Sequence, residues 1–239
     1  MTTVHIVLND SEVPLERFGP WLAQPGVELV VHDLPAGDAL PSPDADGIVI
    51  MGGRQNAYAD DDSPFLAEVR RLVVECVTVG TPVLGVCLGA QLIAAATGGR
   101  VTVADPRGGE HGYVRMRGTA AGTADPVLGP ALAAGSQDAA WVPVMHGDAV
   151  TELPPGADLL ASSDVYVQAF RVGSAIGVQF HPEASPDLLE RWARLTGGDA
   201  AAIRPAAAVA DPEAEAVGAA LALAWVGTLR PGAESRRAG

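Results

Sequence analysis

Short runs of branched apolar residues alternate with helix-period segments through the first hundred residues, and that alternation leaves few architectures open. Val4–Leu8, Val27–His32 and Gly47–Met51 read as buried strands. Glu12–Ala23, between the first two, reads as a helix. Ser63 reads as an N-cap with Pro64 at the first helical position. Phe65, Leu66, Val69, Leu72, Val73, Cys76 and Val77 then recur at helical spacing. Pro82–Val86 is a further strand, and Leu88–Thr97 a helix stopped by Gly98 and Gly99. Buried strands linked by helices imply a mostly parallel sheet covered on both faces. The second half changes character. Val101–Val103, Tyr113–Met116, Trp141–Met145, Asp158–Ala161, Tyr166–Phe170 and Ala175–Gln179 are short strands separated by turns. Ser185–Leu195 and, after an alanine-rich connection, Pro212–Leu229 read as closing helices. The expectation is an α/β chain: a mostly parallel central sheet flanked by helices, with additional short antiparallel strands in the second half. One domain is expected over residues 1–230, with a frayed tail over 231–239.

Composition narrows the chemistry. Apolar residues form 48% of the 239, enough for a full core, and 15 basic against 29 acidic side chains give a formal charge of −14. So acidic a chain is a poor match for the polyanionic backbone of nucleic acid or an anionic membrane. All the basic residues are arginine. Without lysine there is no Schiff-base chemistry and no phosphate-gripping P-loop. The two cysteines, Cys76 and Cys87, are too few for a disulfide framework. The longest apolar run, near Ala219–Val226, is far short of the roughly 18 residues of a membrane span. The first ten residues lack the pattern of a signal peptide. The histidines and cysteines lack the close pairing that zinc sites use. A cytoplasmic bacterial protein acting on a small molecule, with no metal and no cofactor, is the expectation.

The segment Gly85-Val86-Cys87-Leu88-Gly89 places a cysteine where a buried strand hands over to a helix, with a glycine two residues to either side. That is the spacing of a nucleophile elbow, in which small neighbours let the backbone pack closely and the central side chain stands above the sheet edge. Free N–H groups at a helix start favour a thiolate and can hold an oxyanion. The competing reading is a buried cysteine acting as small apolar filler, the role expected of mid-helix Cys76. His5 and His32 fall within early strands. His181 ends an apolar strand that Pro182 forbids to continue, which puts it at the carboxyl edge of the sheet. Glu183, two residues on, can bond the far ring nitrogen and orient the imidazole. On an ordinary histidine, activity is expected to fall in mild acid as His181 is protonated.

Gly85-Val86-Cys87-Leu88-Gly89-Ala90-Gln91 together with Gln179-Phe180-His181-Pro182-Glu183 resembles the class I (triad) glutamine amidotransferases, in particular the amidotransferase domain of GMP synthase and its stand-alone relatives. Met51-Gly52-Gly53, Glu110-His111-Gly112-Tyr113, His146-Gly147-Asp148, Leu153-Pro154-Pro155-Gly156-Ala157 and Gln168-Ala169-Phe170-Arg171 extend the likeness from about Val4 to Leu195. The resemblance implies a flavodoxin-like layout and a cysteine hydrolase that releases ammonia from glutamine through a γ-glutamyl thioester. It implies Cys87 as nucleophile, His181 as base and then acid, and Glu183 as its orienting partner. The backbone N–H groups of Gly53 and Leu88 would hold the oxyanion. Gln91, Gly112, Tyr113, Gly147 and Asp148 would receive the substrate's polar ends. Arg54 stands where the family often has proline; an ordinary solvated arginine is the favoured reading, and a guanidinium that receives a carboxylate is the alternative.

Nothing in the sequence resembles a synthase half, so the resemblance implies a chain that either passes ammonia to a synthetase partner or acts as a free glutaminase. Three alternatives stay open: a γ-glutamyl peptidase cutting larger γ-glutamyl amides, a non-catalytic regulatory protein on the same scaffold, and a superfamily of elbow-cysteine proteins whose helping acid comes from an earlier strand.

Overall fold

The structure is a computed structural model and describes residues 1–136 and 139–229. The expected tail at 231–239 lies outside the described residues. In chain order the elements are β1 (Thr2–Leu8), α1 (Phe18–Leu22), β2 (Val27–Asp33), β3 (Gly47–Ile50), α2 (Phe65–Val79), β4 (Val83–Val86) and α3 (Leu88–Ala96). There follow β5 (Arg100–Thr102), β6 (Glu110–Gly118), α4 (Ala120–Ala124), α5 (Leu128–Ala134), β7 (Ala139–His146), β8 (Ala149–Glu152) and β9 (Asp158–Ser162). The last are β10 (Val167–Val172), β11 (Ala175–Val178), α6 (Pro186–Thr196) and α7 (Ala200–Thr228).

Nine strands form one sheet in the order β2-β1-β3-β4-β11-β10-β9-β6-β7. The first five are mutually parallel, and β10, β9, β6 and β7 extend the sheet antiparallel. This is the expected α/β layout, a parallel half made of crossover units and an antiparallel half made of short meandering strands. One apolar layer on the parallel half (Val4, Ile6, Val49, Leu84, Val86) packs against Phe18 and Leu22 of α1 and Val217, Leu221 and Trp225 of α7. The opposite layer (Val7, Ile48, Ile50, Val83) packs against α2 and α3. Strands buried on both faces explain why β3 and β4 are apolar throughout rather than alternating.

Three local expectations change. The helix expected over Glu12–Ala23 is helical only from Phe18 to Leu22. Asp10 accepts the Glu12 N–H at 2.9 Å and Glu16 adopts φ +42°, so the stretch between forms turns instead. The last helix starts at Ala200, not Pro212, and carries Pro205 and Pro212 inside it. Each proline removes one intrahelical bond. A continuous buried stripe of Ile203, Ala207, Ala210, Ala214, Val217, Leu221 and Trp225 outweighs that loss. Finally, β8 pairs antiparallel with β5 in a separate two-stranded ribbon. Four residues, two of them polar, were too short a pattern to read.

What the topology does for the site is plain in the register. β11 lies beside β4 and parallel to it, with Val178 opposite Val86. Cys87 and Gln179 therefore leave the sheet together at its carboxyl edge, and the Cys87 N–H donates to the Val178 carbonyl at 2.8 Å.

Candidate active site

Cys87 turns from β4 into α3 with φ +50° and ψ −105°, a conformation that side chains rarely adopt. Close packing enforces it. A Cβ on Gly85 would lie 2.6 Å from the backbone of Gly89, and one on Gly89 would lie 2.1 Å from the Ile50 carbonyl oxygen. Only glycine fits either place, as the elbow spacing predicts. Leu88 is the first residue of α3, so its N–H has no partner within the helix.

His181 and Glu183 are buried, and the ring Nδ1 sits 2.8 Å from Glu183 Oε1. Trp192 of α6 covers the imidazole, its ring centroid 4.6 Å away, and its indole N–H is anchored on the Glu12 carbonyl at 2.8 Å. Burial alone would lower the histidine's pKa, but the charges of Glu183 and Cys87, and hydrogen bonds to both, overcome it and raise it to about 10. An imidazolium is thus the form held at neutral pH. That revises the expectation of a loss in mild acid: protonation of this ring belongs to the alkaline range.

A cavity of about 220 Å³ opens over these groups. Gly53, Cys87, Gln91, Gly147, Asp148 and His181 line it, so the structure gathers most of the side chains and loops singled out in the sequence around one space. Gly53 neighbours Leu88 directly, since a Cβ added to it would lie 2.8 Å from Leu88 Cδ2 and 2.5 Å from Gln55 Oε1. A side chain there would have to push the ends of Gln55 and Leu88 aside. The glycine that keeps space between the Cys87 and His181 side chains is Gly52, whose Cβ would stand 3.0 Å from His181 Cε1 and 3.5 Å from Cys87 Cβ. Sequence reading passed over Gly52, although the Gly-Gly pair after a buried strand was the signal.

His146 is buried beside the cavity, with Nδ1 at 3.0 Å from the Asp148 carbonyl and Nε2 at 3.2 Å from Glu110 Oε2. The Asp148 carboxylate accepts the Ala104 N–H at 2.8 Å. His111 also lines the space, its Nδ1 3.1 Å from Met145 Sδ.

Two expectations are corrected here. Gly112 and Tyr113 do not line the cavity. The Tyr113 hydroxyl donates to Asp211 Oδ1 of α7 at 2.9 Å, and its ring packs against the cluster of Leu188, Leu189 and Ile203. The alternation of β6 turns its side chain to the helix side, away from the cavity. Arg54 does stand at the cavity mouth, but Asp10 already takes its fork: Nε lies 2.6 Å from Oδ2 and one terminal nitrogen 3.0 Å from Oδ1. Its guanidinium is a structural partner of a buried carboxylate rather than a free receptor.

Among the described residues, no group of three or more His, Cys, Asp or Glu side chains is arranged to hold a metal ion. None of the described helices is long and apolar enough to cross a membrane.

Known proteins share this fold. The glutamine amidotransferase of Methylobacillus flagellatus superposes with a TM-score of 0.81 at 25% identity, covering 96% of each chain. A glutamine amidotransferase from Thermotoga maritima has the same fold, with a TM-score of 0.78 at 23% identity, covering 94% of this chain and 98% of that one. A GMP synthase (glutamine-hydrolyzing) of Streptococcus equi subsp. zooepidemicus is 36% identical over 160 residues, 65% of this chain and 28% of the relative. The one from Bordetella avium is 34% identical over 142 residues, 58% of this chain and 25% of the relative. The chain therefore aligns with about a quarter of the length of these relatives. The family model for glutamine amidotransferase class-I matches residues 22–191. That span includes Gly52, the Cys87 elbow and the His181–Glu183 pair, and the chain belongs to the class-I glutamine amidotransferase family.

Proposed function

We propose that the protein hydrolyses the side-chain amide of glutamine, with Cys87, His181 and Glu183 as a catalytic triad. The observation that carries this reading is the strained Cys87, which opens into the same cavity as His181, itself paired with buried Glu183. The Cys87 thiolate attacks the amide carbon, and a C–S bond forms as the carbonyl π pair moves to oxygen. The backbone N–H groups of Gly53 and Leu88 hold that oxyanion. The pair then returns, the C–N bond breaks, and the His181 imidazolium gives its proton to the departing nitrogen, which leaves as ammonia. Neutral His181 next takes a proton from water, which attacks the thioester carbonyl. Collapse of that second intermediate breaks the C–S bond, frees glutamate and restores the thiolate–imidazolium pair. Glu183 fixes the ring orientation throughout and stabilises its charge. Gln91, Gly147 and Asp148 face the substrate from the cavity wall.

A cavity of about 220 Å³ is smaller than the roughly 300–1,000 Å³ of pockets that take drug-sized ligands. That size favours glutamine over larger γ-glutamyl amides, the peptidase alternative. Ammonia released here would be delivered to a synthetase partner, in line with the relatives named GMP synthase.

The decisive assay measures glutamate and ammonia together, from glutamine and from a panel of γ-glutamyl amides. Glutamine should be the preferred substrate, and Cys87→Ser should lower turnover by at least about 10³-fold without loss of fold. Activity retained within tenfold would refute the nucleophile. An electrophilic glutamine analogue should label Cys87 and not Cys76, which is fully buried and whose thiol is pushed by that burial up to about 12. Turnover should also decline on the alkaline side, as His181 loses its proton near pH 10. A rate that stays level through that range would remove His181 as the acid.

A further inference from the structure

Between the nucleophile and the cavity wall runs a chain of carboxamides that the triad does not use. Gln179 is 3% exposed and follows β11 directly, opposite the Cys87 elbow. Its Nε2 lies 3.5 Å from Cys87 Sγ. Its Oε1 accepts from Gln91 Nε2 at 3.2 Å, and that same Nε2 donates to the Asp148 carbonyl at 3.1 Å. Oxygen and nitrogen ends of a carboxamide are assigned through their partners, and here one partner is unambiguous. A backbone carbonyl only accepts, so the Gln91 end facing Asp148 must be its NH2 group. The second hydrogen of that group then points to the oxygen of Gln179. With its oxygen committed, Gln179 presents its NH2 group to the sulfur.

We infer that Gln179 is a positioning residue for the nucleophile, holding the Cys87 sulfur as an N–H donor whose direction is locked by Gln91 and the Asp148 carbonyl. The inference rests on the triad reading for its kinetic consequence but not for its chemical one. A neutral donor beside the sulfur favours the thiolate, which accepts more strongly than the thiol. It also limits rotation of the Cys87 side chain, and so sets the line of attack. Backbone bonds keep Gln179 in place: its N–H donates to the Gln168 carbonyl at 2.9 Å, and the neighbouring His181 N–H to the Pro143 carbonyl at 2.8 Å.

Two variants of the full-length chain test this. Gln179→Met keeps the volume and removes the donor. Gln91→Met leaves Gln179 in place and frees its carboxamide to turn. In each, the rate at which iodoacetamide alkylates Cys87 is followed by peptide mass between about pH 5 and 10. The pH of half-maximal alkylation should move up by about one unit in Gln179→Met, and by less in Gln91→Met. In Gln179→Met, kcat for glutamine should fall roughly tenfold to a hundredfold with KM within about threefold, the signature of lost transition-state positioning. Alkylation curves that superimpose on the wild type in both variants would overturn the inference. Should Gln179→Met fail to fold, the Gln91→Met curve alone decides. If the unmodified protein releases no ammonia from glutamine, the triad reading fails, while the alkylation profiles still judge Gln179.

Discussion

Cys87 bears backbone strain that a structural cysteine has no reason to carry. A non-glycine residue in so sparse a region costs on the order of 1–3 kcal/mol, and φ +50° with ψ −105° places Cys87 there. The surrounding bonds impose it: the Cys87 N–H is fixed on Val178 and its carbonyl accepts the Gln91 N–H at 3.0 Å. Removing the side chain in two ways separates strain from packing. Cys87→Ala keeps the Cβ and the strain, whereas Cys87→Gly releases it while making the unfolded chain more flexible. Since glycine's entropic penalty is about 0.5–1 kcal/mol, the strain should win. Cys87→Gly should be more stable than Cys87→Ala by about 1 kcal/mol in urea unfolding. An alanine variant as stable as the glycine variant would mean that the elbow holds no strain.

The longest helix explains how the histidine loop is kept rigid. α7 runs against the His181-Pro182-Glu183 segment so closely that a Cβ on Gly218 would come within 2.5 Å of the Pro182 carbonyl oxygen. Two turns earlier in the helix, Asp211 accepts from both terminal nitrogens of Arg17 at 2.9 and 2.8 Å. The Arg17 backbone N–H in turn donates to the Glu183 carbonyl at 3.2 Å, and its guanidinium to the Ala184 carbonyl at 3.3 Å. Alanine in a helix interior is ordinarily better than glycine by about 1 kcal/mol, so Gly218→Ala would stabilise an unencumbered helix. Here the obstacle is backbone, which cannot swing aside. The variant should lose about 1–3 kcal/mol of stability and about tenfold to a hundredfold in kcat. A stabilised and fully active variant would show that the contact is slack. Legibility in the sequence divides along the same line. β1, β3, β4, α2 and α3 could be read because their signals are local: apolar runs, an elbow, glycine stops. The start of α7 was missed because Pro205 and Pro212 dominate a local reading, while the stripe that overrides them acts only once the helix is packed. The elbow and the His181–Glu183 pair were legible as motifs. Gln179 was not visible as a contact of Cys87, because that contact exists only when β11 lies beside β4, a pairing of segments some ninety positions apart. Tyr113 was misplaced for the converse reason: its motif is local, but the face it takes depends on α7.

At the scale of the molecule, the sheet edge concentrates a buried ion pair, and that pair links the site to global stability. In the unfolded chain His181 titrates near its ordinary 6.5, and in the fold near 10. Between these values the folded-state histidine holds a proton that it lacks in the unfolded chain, so its own contribution to stability falls as pH rises through this window. Up to about pH 8.5 the cysteine of the unfolded chain still holds the proton that the thiolate of the folded pair has given up, which offsets that loss. Below 6.5 the whole contribution of the raised histidine is present, and above about 10 it is gone. Carboxylates act in the opposite direction. Burial would raise Asp10 and Asp125, but hydrogen bonds from Arg54 and Arg171, with backbone donors, lower them instead, so their stabilisation is lost as pH falls in acid. Removing His181 alone would strand the Glu183 carboxylate in the interior, where an unpaired charge brings its own penalty. The clean comparison is therefore the double variant His181→Gln with Glu183→Gln, which exchanges the charged pair for two neutral carboxamides. Urea unfolding should show the unmodified protein losing stability from about pH 8.5, where the unfolded chain's cysteine has also given up its proton, to about 10, with the double variant flatter over the same range. Both should share the loss in acid, because Asp10 and Asp125 remain. Parallel curves on the alkaline side would mean that His181 folds with an ordinary affinity for its proton, and the thiolate–imidazolium pair would fall with it.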